Sequence, residues 1–244
     1  MEKKTAIITG ASRGIGRAIA HTLARNGYNI LINCSRSHKE LETVKEELES
    51  LYSVKCVTYV GNVGNPVCAE ELFKIAQSEL GNISVLINNA GISHIGLLQD
   101  MTYEEWNNIL SVNLTSVFNM CKLVIPDLVS MRTGKIINMS SVWGLCGASC
   151  EAAYSATKGA INSFTMALGK ELAPSNISVN AIACGAVDTS MNACFSAEEQ
   201  KELCEQIPAG RMASPDEIAT LVLTLINSPS YLTGEVIKMD GGWI

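Results

Sequence analysis

Tyr154 and Lys158 stand four residues apart, so on a helix their side chains project from one face. A free phenol titrates near ~10 and is a poor acid at neutral pH. An ammonium about 5 Å away, at an effective dielectric of roughly 20, favours the phenolate by about 3 kcal/mol, on the order of two pKa units. Lys158 is therefore expected to make Tyr154 a usable proton donor. The same spacing also arises by chance on solvated helices, so the surrounding chain has to decide between chemistry and accident.

The pair sits in the stretch KIINMSSVWGLCGASCEAAYSATK, residues 135–158, which reads as a short apolar strand carrying Ser141, a loop of small residues and a helix start. The N-terminus repeats this logic with a different purpose. Thr5-Ala-Ile-Ile-Thr9 is a strand pattern, Gly10-Ala-Ser12-Arg13-Gly14-Ile15-Gly16 a glycine-rich turn, and residues 17–26 a helix pattern closed by Gly27. Strand, glycine turn and helix in that order form a phosphate site, because glycines let the backbone approach and the helix N-terminus offers free N–H groups. The spacing is Gly-x-x-x-Gly-x-Gly, unlike the Gly-x-Gly-x-x-Gly dinucleotide fingerprint.

The second strand, Asn29-Ile-Leu-Ile-Asn33, runs into Cys34-Ser35-Arg36-Ser37. An acidic residue here would select NAD through the ribose hydroxyls, whereas a cation suits the extra phosphate of NADP. No Asp or Glu lies between Arg25 and Lys39. Arg36, with Ser35 and Arg13, is expected to clamp a 2′-phosphate, since a guanidinium matches phosphate geometry. The alternation continues with a helix over His38–Leu51, a strand over 54–60, the turn Gly61-Asn62-Val63, a helix over Pro66–Leu80 and a strand over 84–87. That strand ends in Asn88-Asn89-Ala90-Gly91, small and amide residues where such sheets bind ligands. A long helical region over 103–129 carries Asn113 on its apolar face.

Composition supports one α/β domain: 244 residues, 47% hydrophobic with few aromatics, no linker and no repeat. The fold class expected is a Rossmann-type doubly wound parallel sheet of about seven strands with helices on both faces. A net charge of −6 without a dense Lys/Arg run argues against nucleic acid. The start MEKKTAIITG runs straight into a strand, and no apolar stretch is expected to reach the roughly 18 residues of a membrane span, so a cytoplasmic protein is expected. Nine cysteines show no paired Cys-x-x-Cys spacing, which makes a zinc site improbable, and the three histidines fit no hydrolase triad.

Thr9-Gly10-x-x-x-Gly14-x-Gly16, Asn88-Asn89-Ala90-Gly91, Asn113, Ser141 and Tyr154-x-x-x-Lys158, in this order, resemble the short-chain dehydrogenase/reductase family over essentially the whole chain. Within it the match is nearest to the 3-oxoacyl-(acyl carrier protein) reductases of fatty acid synthesis, from TGASRGIG to TGEVIKMDGGW. The resemblance implies an NADP(H)-dependent enzyme, usually a homotetramer. It implies catalytic roles for Asn113, Ser141, Tyr154 and Lys158: Tyr154 donates a proton, Ser141 holds the carbonyl oxygen, Lys158 tunes the phenol and binds ribose, and Asn113 holds a relay water. Cofactor contacts are expected from Gly10, Ser12, Arg13, Gly14, Ile15, Gly16, Ser35, Arg36, Asn62, Val63, Asn89, Ala90 and Gly91. Tyr154, Lys158, Gly185, Val187 and Thr189 complete that set, and a substrate lid is expected over 190–206.

Three departures bear on substrate. Cys184 stands where the family usually has Pro, which is expected to loosen the lid hinge. Glu151-Ala152-Ala153 precedes Tyr154 where many reductases carry an Asn two before their Tyr and a Gln before that. Arg132 matches one of two arginines expected to dock acyl carrier protein, but Ser175 occupies the place of the other. Another NADP-linked ketone or alcohol oxidoreductase, acting on a steroid, a small ketone or a modified protein ketone, is therefore the alternative. A non-catalytic NADP-binding sensor is the remote one.

Overall fold

The computed structural model describes residues 4–192 and 195–244. Four-residue strand β1 (Thr5–Ile8) lies in the interior of the sheet, and its alternation feeds two cores. Ile8 faces one helical layer and Ile7 the other, because successive strand side chains point to opposite faces. The chain continues through α1 (Gly14–Arg25), β2 (Asn29–Cys34), α2 (His38–Leu51), β3 (Cys56–Val60), α3 (Pro66–Leu80) and β4 (Val85–Asn88). After it come α4 (Tyr103–Leu110), a π-helical turn (Ser111–Thr115), α5 (Ser116–Met131), β5 (Gly134–Ser141), the one-turn α6 (Trp143–Cys146) and α7 (Ala152–Leu172). β6 (Ile177–Cys184), α8 (Ala197–Gln206), α9 (Pro215–Asn227) and β7 (Val236–Met239) complete it.

The strands form one seven-stranded sheet in the order β3-β2-β1-β4-β5-β6-β7, with every pairing parallel. Ile19, Leu23, Leu41 and Val222 from α1, α2 and α9 cover one face. Leu72, Val124 and Ile161 from α3, α5 and α7 cover the other. Strands buried on both sides explain the near-continuous Ile, Val and Leu runs of the central strands. Strand order reverses between β1 and β4, and ligands of such sheets bind beyond the strand C-termini at that switch point.

Tyr103–Met131 forms a single helical run of 29 residues, and one window of it reaches a mean hydropathy of 1.4. By length and composition it could span a membrane, contrary to the expectation that no stretch is apolar enough. Uncharged polar residues conceal the run in the sequence. In the fold they turn inward: Asn113 bonds Ile92 and Thr157, Ser116 bonds Val112, and Asn119 bonds Val63 and Gly64.

Candidate functional site

Two turns meet at the switch point. Gly10 and Gly14 adopt φ of +67° and +55°, values that glycine tolerates without strain. A Cβ on Gly16 would fall 2.3 Å from the Gly10 carbonyl, so only glycine lets α1 start so close to β1. The Asn89 amide donates to the Thr9 and Gly10 carbonyls at 2.9 Å each, while the Thr9 hydroxyl accepts from the Asn89 and Ala90 N–H groups at 3.0 Å. The β1 and β4 turns are thus bolted into one frame. No side chain caps the start of α1, which leaves its first-turn N–H groups facing the cleft that Ser12, Arg13 and Ile15 also line. This cradle fits the diphosphate of a dinucleotide.

Beside it, the side chains of the Tyr154 region converge. The cleft has a volume of about 580 Å³ and is lined at one end by the glycine turn, Ser35, Asn62 and Val63, and further along by Ala90, Gly91, Ser141, Tyr154 and Lys158. Gly185, Val187 and Thr189 line it too, and Thr189 lies over Gly14, where a Cβ would come within 3.3 Å of its methyl group.

Arg36, expected to clamp a phosphate, is exposed and is not among the residues that line the cleft, whereas its neighbours Ser35 and Ser37 are. Arg13 is the arginine that lines it. Among the described lining residues the only carboxylate is Glu151, which sits beside Trp143 and Tyr154.

Lys158 is buried, and its Nζ donates to the Met139 carbonyl at 2.8 Å and lies 5.5 Å from the centre of the Tyr154 ring. Burial pushes its pKa down to about 8, opposed by the Cys184 thiol. The phenol of Tyr154 moves up, because burial outweighs a hydrogen bond with Ser141 that acts to lower it. The expected lowering of Tyr154 by Lys158 is therefore reversed in the protein alone. Two groups desolvated together each resist their charged form, and a lysine near 8 is a weaker cationic neighbour than one in water.

The framework holding α7 is polar. Ser140 donates to Asn162 at 2.6 Å, and the Asn162 amide donates to the Gly144 carbonyl at 3.0 Å. Asn88 donates to Asn138 at 2.8 Å, and Asn138 to Thr165 at 2.9 Å. These bonds lock β4, β5 and α7 into register, so Ser141 at the end of β5 faces Tyr154 on α7.

Asn113 is fully buried and does not line the cleft. Its Oδ1 accepts from Ile92 N–H at 2.8 Å, and its amide donates to the Ile92 carbonyl at 2.9 Å and Thr157 Oγ1 at 3.1 Å. Both amide hydrogens are committed, which limits its side chain as a water holder. It stands within the π-helical turn, a feature that departs from the regular ladder and often marks functional positions.

Cys184 is the residue expected to loosen the lid hinge. It closes β6, paired with Ser141 on one side and Met239 on the other, and its carbonyl accepts from Val142 N–H at 2.9 Å. The sheet restrains its backbone in place of a proline ring. Of the expected lid, Ser190–Asn192 forms a short turn and α8 begins at a capping box on Ser196, while residues 193–194 lie outside the described residues. Met191, Phe195 and Leu203 line the cleft.

Trp143 and Trp243 also line it, and neither is an expected site residue. Their rings meet at 4.9 Å with an interplanar angle of 61°. The scarcity of tryptophan in the chain, with one standing two residues after Ser141, is the only sequence signal that could have found them.

A sequence profile described as short chain dehydrogenase matches residues 4–200. The chain is 38% identical over 241 residues to the uncharacterized oxidoreductase YmfI of Bacillus subtilis, with 98% of each chain covered. It is 39% identical over 243 residues to the 3-oxoacyl-(acyl-carrier-protein) reductase FabG of Aquifex aeolicus, covering 99% of this chain and 98% of the relative. The FabG reductase of Staphylococcus epidermidis is 38% identical over 240 residues, with 98% of each covered.

Proposed function

This chain belongs to the short chain dehydrogenase family, and from that premise we propose that it is an NADPH-dependent carbonyl reductase of 3-oxoacyl thioesters. As a member of that family it is an oxidoreductase using a nicotinamide cofactor. The observation that carries the finer reading is the gathering of Ser141, Tyr154 and Lys158 in the same cleft as an uncapped glycine cradle.

A nicotinamide cofactor held in this cleft would supply the hydride to the carbonyl carbon. Ser141 and Tyr154 hold the carbonyl oxygen, and Tyr154 gives its proton to that oxygen as negative charge develops there. A phenol kept neutral by burial starts in the protonated form this step requires. Lys158, at the floor of the cleft, orients the ribose and, when charged, steadies the phenolate left behind. Asn113 fixes the Ile92 backbone and Thr157 on either side of Lys158's surroundings and so acts by positioning.

Arg13 and Ser35 line the adenosine end, where no described carboxylate competes with a 2′-phosphate, and this favours NADP(H) over NAD(H). The thioester reading leans on similarity to the FabG reductases. For carrier docking, Arg132 is exposed and linked to the Ser175 corner through the Asn176 amide, which donates to its carbonyl at 3.2 Å, so one cation of the two expected arginines is present. A free small ketone is the second reading, favoured by that single cation and a net charge of −6. Exposed Tyr103, Phe118 and Met166 on the α4, α5 and α7 surfaces suit burial in a homotetramer. A cytoplasmic place accompanies this reading.

Steady-state NADPH oxidation with acetoacetyl thioesters of carrier protein and of coenzyme A tests the proposal. Turnover of both, with kcat/KM for NADPH at least about tenfold above NADH, is expected. Reduction of small free ketones but neither thioester would transfer the assignment to the second reading.

A further inference from the structure

The wall that faces the reacting carbonyl is assembled from three separate parts of the chain. Trp143 opens α6 directly after the strand that carries Ser141, and its backbone N–H donates to Ser141 Oγ at 3.2 Å. Ser141 and Trp143 also line the same cleft. The edge-to-face contact with Trp243 backs the ring from the C-terminal segment. The Glu151 carboxyl, just ahead of α7, engages Trp143 by hydrogen bonding from a third side.

The C-terminal turn is built to hold Trp243 in that position. The Asp240 carboxylate accepts from the N–H groups of Gly242 at 3.0 Å and Ile244 at 2.9 Å, and pairs with Lys238 at 3.3 Å. Gly241 takes φ +67°, and a Cβ there would fall 2.8 Å from the Ile207 side chain at the end of α8. The turn thus has little freedom to swing away. Gly144 packs so tightly on α7 that a Cβ would lie 2.6 Å from the Lys158 carbonyl carbon, which denies α6 room to retreat.

A ketone with its oxygen on Ser141 and Tyr154 carries two substituents, and one of them must point at this wall. We propose that Trp143 and Trp243 are specificity-determining residues that cap the space for that substituent, so that the protein reduces 3-oxo compounds bearing a methyl or similarly short group beyond the ketone and rejects long acyl chains. The inference rests on the reading of Ser141 and Tyr154 as the carbonyl site and deepens it. Aromatic edges braced by a fixed turn resist displacement by a longer chain, and each methylene turned away is worth a measurable factor in kcat/KM.

The test compares two substrate pairs in the full-length protein with NADPH: acetoacetyl- and 3-oxodecanoyl-coenzyme A, and ethyl acetoacetate against ethyl 3-oxodecanoate. The wild type is expected to favour the short member of each pair by at least about tenfold in kcat/KM. Trp143→Ala and Trp243→Ala should each raise kcat/KM for the long member about tenfold, mainly through KM, while Trp143→Phe and Trp243→Phe keep most of the preference. Activity on the short member reports that each variant is folded. Equal use of short and long substrates by the wild type, or a preference that survives in both alanine variants, overturns the proposal. Reduction of the ester pair alone would remove the thioester reading and still score the wall. If NADPH binds but no ketone is reduced, both fall.

Discussion

At the glycine-turn end of the cleft the binding groups are backbone N–H groups exposed by Gly10, Gly14 and Gly16, all within one strand-turn-helix unit. At the Tyr154 end they are side chains brought from β5, α6, α7 and the C-terminal turn. The first end depends on what is missing, since a single Cβ at Gly16 would drive the helix start away from the Gly10 turn and the Asn89 amide. The second depends on what is present and on the asparagine network that holds β5 against α7. A site made of backbone is local and tolerant of changes in distant side chains, whereas a site made of converging side chains is only as good as the framework behind it.

The largest expected effect separates the two ends. Tyr154→Phe removes the proton donor and leaves the cradle untouched, so kcat should fall by at least about a hundredfold with NADPH affinity nearly unchanged. Single-turnover kinetics and a binding titration check this. A comparable loss of affinity would mean that the two ends are one coupled site.

Lys158 stands between them, and its effect is read through stability. Its pKa is lowered in the folded protein, so between about 8 and the ordinary lysine value the unfolded chain binds more protons and stability gains as pH rises. Below that window the fold carries a charged lysine at a cost of up to about 3 kcal/mol. Lys158→Met should therefore be more stable than wild type at pH 7 without cofactor, with the gap narrowing towards pH 10. Denaturant unfolding at both pH values measures it, and the difference isolates Lys158 from the buried cysteines, whose raised pKa values act in the opposite direction. A gap independent of pH would place the neutralisation elsewhere.

The smallest effect tests the adenosine end. Arg13→Ala should weaken NADPH roughly tenfold to a hundredfold and NADH far less, as loss of a charge-assisted phosphate contact requires. Arg36→Ala should change either cofactor by less than about threefold. Isothermal titration of the two variants with both cofactors decides between the arginines, and the reverse ranking would restore Arg36.

The positions proposed to carry chemistry could be brought together from the sequence where spacing within one element suffices. Tyr154 and Lys158 share a helix face, and the glycine turn stands between a recognisable strand and helix. Ser35 lines the cleft and Arg36 does not, a difference that composition could not give because the direction of the loop decides it. The pKa of Tyr154 was misread because spacing says how near Lys158 is but not how much water both have lost. The apolar run over Tyr103–Met131 was missed because inward-bonding Asn and Ser residues break its appearance.

The amino-acid sequence by itself determined the alternation of strands and helices, the parallel sheet, the phosphate turn and the Tyr154/Lys158 pair. All of these are encoded over a few residues by periodicity, glycine and helical pitch. Only the tertiary structure decided which arginine lines the cleft, that Asn113's amide is already committed, and that Trp143 and Trp243 meet beside Ser141. Those outcomes join residues far apart in the chain, and their contacts exist only after the sheet has set strand order and register.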